Sequence, residues 1–256
     1  MNHQEAKKHQ ENFKALQRED RFVKISERED RCDLNIDVWA ALCKNQFLQT
    51  WKGVVLQTGV TELGIFPMLL NELKPKTIIE LGTYSGGNAL WLADHLEIFG
   101  IEGRVYSVDI DPSLIDNRVK DDPRISFLTG DCFQIEKIFT LELLASLPHP
   151  WLIIDDAHVN LSGILNFFHN SGLQAGDYIV VEDTNPLMWE YWINERGWSA
   201  KEEVEGGPYH LINDLREWLL KHENEYLIDT HYQDMYGYNV TKHWNAFIKC
   251  VSPQQR

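Results

Sequence analysis

"IIELGTYSGG", residues 78–87, is the stretch from which the fold can be read. Ile78, Ile79 and Leu81 make a short apolar run of the kind that forms a buried strand. Gly82, Gly86 and Gly87 then break the run into a turn, where the backbone must come close to something. From Gly87 to Phe99 the period changes: Ala89, Leu92, Ala93 and Leu96 recur at spacings of three and four, which predicts a helix, and Gly100 supplies its stop. Strand, glycine turn and helix in that order are the opening of a βαβ unit.

The alternation continues downstream. Strands are expected at Thr77–Leu81, Arg104–Val108, Ile125–Leu128, Trp151–Ile154 and Tyr178–Val181, with helical stretches between most of them. That order predicts an α/β fold with a parallel sheet. Leu211, Ile212, Leu215, Trp218 and Leu219 mark an amphipathic helix. Tyr226–Asp229 and Asn245–Cys250 follow as strand-like runs that can pair as an antiparallel hairpin at the sheet edge. Upstream, residues 34–75 read as helices joined by the loop "WKGVVLQTGVTELG". Residues 1–31 are dense in charge and poor in apolar anchors, which suits a solvated helix, an oligomer arm or a partly ordered tail. The expected division is an N-terminal helical extension over 1–50 and one catalytic-type domain over 51–256.

The 256 residues carry a formal net charge of −15. That balance argues against a general nucleic-acid binder, which needs a basic footprint. No apolar run reaches 18 residues, and the polar N-terminus lacks the core of a secretory signal, so neither a membrane partner nor a leader is expected. Cys32, Cys43, Cys132 and Cys250 are scattered without a CxxC pair, which fits reduced thiols in a cytoplasm.

In an open parallel sheet, ligands sit beyond the carboxyl ends of the strands, where the glycine turn lies. A dinucleotide fingerprint, GxGxxG, would need glycine where Tyr84 stands, so NAD and FAD are disfavoured. Glu80, two residues before the first glycine, can instead meet an ammonium group directly or through water. Asp109, at the end of "VYSVDID", can accept both ribose hydroxyls, and Asp131, in "TGDCF", can accept from an adenine amino group beside the Cys132 N–H. One such acid alone more often caps a helix; three at successive strand ends point to a ligand with an amino-acid end and an adenosine end.

"IIELGTYSGGNALWLAD", "VYSVDID" and "GD" resemble motifs of class I S-adenosylmethionine (SAM)-dependent methyltransferases. The order "WKG", "KPKTIIELGTYSGGNALWLAD", "VEDT" and "GPYHLINDLREWL" is similar, more narrowly, to the cephalosporin hydroxylase and rhamnosyl O-methyltransferase family, over roughly residues 50–250. The resemblance implies a Rossmann-like sheet of seven strands with an antiparallel last strand, and SAM contacts at Glu80, Gly82, Asp109 and Asp131. Thr83, Tyr84, Ser85, Gly86, Asn88, Ile110, Cys132 and Asp155 complete the candidate cofactor contacts.

The fourth and fifth strands end in "LIIDDAH" and "IVVEDT", which brings Asp155, Asp156, Glu182 and Asp183 to neighbouring tips. Crowded carboxylates need neutralising, and hard oxygen donors suit Mg²⁺ or another divalent ion. In metal-dependent O-methyltransferases an acid after strand four and an acid pair after strand five hold the metal. This sequence fits that pattern at Asp155 or Asp156, with Glu182 and Asp183; Asp155 is favoured as the first acid because it directly follows the apolar run. A divalent ion there would lower the pKa of a substrate hydroxyl, with Asp155 and His158 as catalytic candidates, His158 as base, metal ligand or cap. His210, His231 and His243 show no ligand spacing. "TNPLMWEYWINERGWSAKEEVEGGPYH" carries Trp189, Tyr191, Trp192, Trp198 and Tyr209, either as a lid over a small-molecule substrate or as an ordinary packed helix. "HYQDMYGYNVTKHW" is a further polar-aromatic loop near the site. The expected activity is metal-assisted O-methyl transfer in natural-product or sugar tailoring. Its rivals are a hydroxylase of the cephalosporin hydroxylase type and a non-catalytic cofactor-binding partner of another enzyme. A homo-oligomer is compatible with the charged N-terminal segment.

Overall fold

The computed structural model describes residues 2–8, 19–196 and 208–251. Among the described residues ten strands are present: β1 (Phe22–Val23), β2 (Thr50–Trp51), β3 (Val54–Val55), β4 (Thr77–Leu81), β5 (Arg104–Asp109), β6 (Ile125–Thr129), β7 (Trp151–Asp155), β8 (Tyr178–Val181), β9 (Tyr226–Asp229) and β10 (Phe247–Cys250). Eight of them form one sheet in the order β1-β9-β10-β8-β7-β4-β5-β6. Strands β8, β7, β4, β5 and β6 run parallel, and β10 pairs antiparallel with both β8 and β9. This is the Rossmann-like methyltransferase sheet expected from the sequence, with one strand more than the seven foreseen.

The central strand β4 is buried at every position, as a parallel strand covered on both faces must be. Its side chains alternate between two cores. Ile78 packs with Leu152 and Ile154 of β7 under the helices Glu62–Leu73 and Gly87–Ile98. Ile79 and Leu81 pack on the other face with Ile153, Phe168 and Trp218, from the helices Leu161–Ser171 and Pro208–Lys221.

The additional strand comes from the charged N-terminal stretch. Phe22 and Val23 pair antiparallel with Asp229 and Ile228. Arg21 binds Asp229 at 3.1 Å and also reaches Glu72. Arg28, 7% exposed, forks onto Asp234 and donates from Nε to Asn245 at 2.7 Å. Ion pairs thus supplement the few apolar anchors, Val23 and the buried Ile25, and the segment from Glu19 onward lies against the sheet edge and the loop before β10. The β9–β10 hairpin has the expected antiparallel pairing, but β10 sits inside the sheet and β1 closes the edge.

The loop after Gln49 is itself a small hairpin: β2 pairs with β3 across Lys52 and Gly53, both at positive φ. Asp94 pins it to the helix Gly87–Ile98, accepting from Trp51 Nε1 at 2.6 Å and Lys52 Nζ at 2.9 Å. All four cysteines are free thiols. Among the described residues no helix is long and apolar enough to cross a membrane.

Candidate active site

The chain leaves β4 to build β5 and β6 on one side and later returns to build β7 and β8 on the other. The crevice at that reversal is where such sheets take ligands. A cavity of about 440 Å³ occupies it, within the usual size of a small-molecule site.

The glycine turn forms its floor. Gly82 has φ +99°, and a Cβ there would lie 2.6 Å from the Asp156 carbonyl oxygen. Gly87 opens the next helix, and a Cβ there would lie 1.8 Å from the Val55 carbonyl oxygen. The close approaches foreseen for these glycines are therefore first of all to other backbone of the same chain. Tyr84 takes φ +47°, and its N–H donates to Asp109 Oδ2 at 2.7 Å. The second Asp109 oxygen accepts from the Asp111 N–H at 3.0 Å. Asp109 thereby ties the turn to the tip of β5, and each oxygen keeps a lone pair for a ligand.

Gly82, Tyr84, Asp109, Ile110, Asp131 and Cys132 line this cavity. Asp131 also caps the turn Cys132–Gln134, accepting from the Phe133 N–H, so the helix-capping alternative is present in a residue that also borders the cavity. Thr83, Ser85 and Asn88 line a narrow cleft on the other side of the turn. Ser85 Oγ donates to the Val55 carbonyl at 2.8 Å, and Thr83 Oγ1 lies 2.6 Å from Ser107 Oγ. Gly86, at φ +77°, borders neither space.

Glu80 lies beneath the turn, 1% exposed, and borders neither space. It accepts from Asn88 Nδ2 at 2.7 Å and from Ser107 Oγ. Burial pushes its carboxyl up to about 7, against the lowering effect of those two hydrogen bonds. From this depth Glu80 holds the side chains of Asn88 and of Ser107 on β5 in place beneath the turn.

The acids of β7 and β8 separate into different roles. Asp155, favoured from the sequence as the metal acid, is 4% exposed and borders neither space. By the pleat it shares the face of Ile153. Oδ1 accepts from the Ala157 N–H at 3.2 Å, Oδ2 is buried without a hydrogen-bond partner, and burial pushes the carboxyl up to about 7. The structure brings the next residue, Asp156, to the cavity in its place. Asp156 Oδ1 lies 3.2 Å from His158 Nε2, and Asp183 Oδ2 lies 3.7 Å from the same nitrogen. These three residues offer donor atoms all within 4.8 Å of one another. His158 and Asp183 hold φ of +56° and +55°. Strain of this kind collects at functional sites.

A residue that the sequence did not single out enters here. Lys242 Nζ lies 2.8 Å from Glu182 Oε2 and 3.0 Å from Asp183 Oδ1. It arrives from the polar-aromatic loop before β10, which is stitched to the loop after β8. Asn185 donates from its N–H to the Lys242 carbonyl and from its side chain to the Thr241 carbonyl, at 3.0 and 2.7 Å. Burial acts to raise Asp183, but Lys242 and His158 outweigh it and hold the carboxyl below its ordinary value. Burial also acts to lower His158; Asp156 and Asp183 reverse that and push it up to about 9. The pocket is thus a paired set of anions and cations. The only sequence signal for Lys242 is a basic residue inside "NVTKHW", which carries no spacing rule.

An aromatic wall stands beside the acids, with the Trp189 ring 5.8 Å from that of His158. Trp189 and Trp192, on the helix Pro186–Arg196, line the cavity with Phe47 and Gln46 from the N-terminal region. Phe47 and Trp192 are 5.1 Å apart at their centroids. The stretch after β8 therefore contains a packed helix, with Trp189 Nε1 donating to the Asp183 carbonyl. Trp198 lies outside the described residues. His243 is fully buried beside Glu62, and burial pushes it down to about 4.

The Rhamnosyl O-methyltransferase/CmcI family model matches residues 44–251. The chain belongs to that family. The rhamnosyl O-methyltransferase of Mycobacterium tuberculosis is 26% identical over 202 residues, which is 78% of this chain and 77% of that protein. The Mycobacterium leprae enzyme is 30% identical over 141 residues, 53% of this chain and 60% of its own. A structure of CmcI with Mg and SAM has a TM-score of 0.62 and 26% identity, covering 94% of this chain and 95% of that one. CmcI with S-adenosylhomocysteine (SAH) gives 0.60 and 25%, over 88% and 95%. Family, fold and the order of strand-tip acids together make this chain a SAM-dependent methyltransferase.

Proposed function

We propose that the chain transfers a methyl group from SAM to a hydroxyl of a small molecule, assisted by Mg²⁺ or another divalent ion, in natural-product or sugar tailoring. One observation carries the reading: a single cavity joins Asp109 and Asp131 on one side to Asp156 and Asp183 on the other, under an aromatic wall. The relatives' names, and the Mg and SAM of CmcI, point the same way.

The residues fit both groups. Gly82, where a side chain cannot be accommodated, leaves backbone exposed to a nucleoside. Asp109 would accept the ribose hydroxyls, and Asp131 with the Cys132 N–H would meet the adenine edge. Asp156, Glu182 and Asp183 offer the hard oxygens that would hold the ion. When bound, SAM supplies an electrophilic methyl group and the ion lowers the pKa of the acceptor hydroxyl. The protein's part is to place the two reactants in line. Trp189 and Trp192 bury the acceptor's apolar face and exclude water from the acids. His158, held protonated by Asp156 and Asp183, can accept a proton once the charge of those acids is offset.

A hydroxylase reading finds less support. A two-histidine, one-carboxylate iron set needs a second imidazole at the cavity, and His158 is the only histidine among the described residues that line it. His169, His222 and Glu225 have the right donor count, but none of the three lines the cavity. Free thiols agree with a reducing cytoplasm.

Two results are expected. SAH should bind the purified chain in calorimetry, and Asp109→Asn should weaken that binding about tenfold, as loss of a charge-assisted hydrogen bond predicts. Methyl transfer to an accepted hydroxyl should disappear in EDTA and return with Mg²⁺. Full transfer in EDTA would remove the metal from the reading, and absence of SAH binding would remove the reading altogether.

A further inference from the structure

Lys242 is almost sealed from solvent, at 3% exposure. Its ammonium reaches Glu182 and Asp183 together, at 2.8 and 3.0 Å, with the Gln57 carbonyl at 3.4 Å. Its backbone is held through both its N–H and its carbonyl. The N–H donates to Glu62 Oε1 at 3.0 Å, the carbonyl accepts from Asn185, and the neighbouring Thr241 carbonyl accepts from the Asn185 side chain. Asp156, the third acid, pairs with His158. A divalent ion that takes oxygens from Glu182 and Asp183 therefore meets a cation already seated between them.

We propose that Lys242 is an internal counter-cation that competes with the divalent ion for Glu182 and Asp183 and so sets how tightly the ion binds. The inference rests on the metal reading above and adds to it the residue that regulates the site. Mg²⁺ needs its carboxylate oxygens at about 2.0–2.1 Å, closer than a hydrogen-bonded ammonium, so the lysine must move off those oxygens or share them. Until then it is the counter-charge of buried Glu182 and, together with His158, of Asp183. The cluster can thus stay assembled without metal, at the cost of one unit of charge opposing the incoming ion. Asp156 has no bond to Lys242 and is the acid that can meet the ion first.

The test is Mn²⁺ binding, read from the paramagnetic signal of the free ion, on the full chain and on Lys242→Met and Lys242→Arg. SAH binding serves as the check of folding. Lys242→Met should bind Mn²⁺ about tenfold tighter or more, because removing a unit charge at contact distance favours the ion. Lys242→Arg, which keeps the charge, should stay close to the parent. If Lys242→Met fails to fold, Lys242→Gln replaces it, and the rise in melting temperature on adding Mn²⁺ should exceed that of the parent. Unchanged Mn²⁺ affinity in a neutral variant that still binds SAH overturns the competition and leaves the metal reading standing. No Mn²⁺ binding by any of the chains, with SAH binding intact, removes the metal reading and this inference with it.

Discussion

Asp183→Asn is expected to slow methyl transfer about 10²–10³-fold, because it would weaken the hold on the ion that stabilises the acceptor's oxyanion, while SAH affinity stays within about threefold. Asparagine tolerates the left-handed backbone that Asp183 adopts at φ +55°, so the loop after β8 should keep its course. Lys242 retains Glu182 at 2.8 Å, which prevents an unpaired buried cation. What disappears is one negative oxygen donor beside His158 and Asp156. Single-turnover transfer with saturating SAM separates this from a binding effect. A rate within threefold of the parent would mean that the acid cluster stands outside the chemistry.

Gly87→Ala is the second large effect, and it is one of stability. The added Cβ would lie 1.8 Å from the Val55 carbonyl oxygen, which is backbone. That oxygen also accepts the Ser85 hydroxyl, and Val55 is paired across to Thr50. Either the β2–β3 hairpin or the helix Gly87–Ile98 must move, and both are anchored to Asp94 or to β4. A loss of about 4 kcal/mol or more is expected, seen as a fall in melting temperature of roughly 10 °C for a chain of this size. Gly100→Ala is the contrast. Nothing lies within 4 Å of its Cβ position, and only the φ of +63° opposes the substitution, at about 1–2 kcal/mol. Equal melting temperatures for the two variants would show that the hairpin yields freely.

These two glycines lie in or near one stretch, and the sequence separates their neighbourhoods only in part. The boundaries of β4 and β8 match those read from the apolar runs, because a central parallel strand is buried on both faces and its composition leaves little choice. The acids of β5, β7 and β8 were legible for a related reason: Asp109, Asp155 and Glu182 each directly follow the last apolar residue of their strand, whereas Asp131 stands two residues beyond β6. Asp156 against Asp155 was not legible. Adjacent residues differ by which side of the pleat they take and where the strand lets go: Asp155 is still paired with Leu81 inside the sheet, while Asp156 borders the cavity.

Local pattern therefore determined the fold class, the glycine turn and the collection of carboxylates, since each depends on residues close together in the chain. The tertiary structure alone decided the rest. Phe22 and Val23 are a strand only because Asp229 and Ile228 offer them an edge. Lys242 borders the cavity only because Asn185 ties two distant loops together. Trp192 and Phe47 face one cavity from positions 145 residues apart, 192 less 47. A contact between remote segments leaves no period or spacing in either of them, so it exists only once the chain has folded.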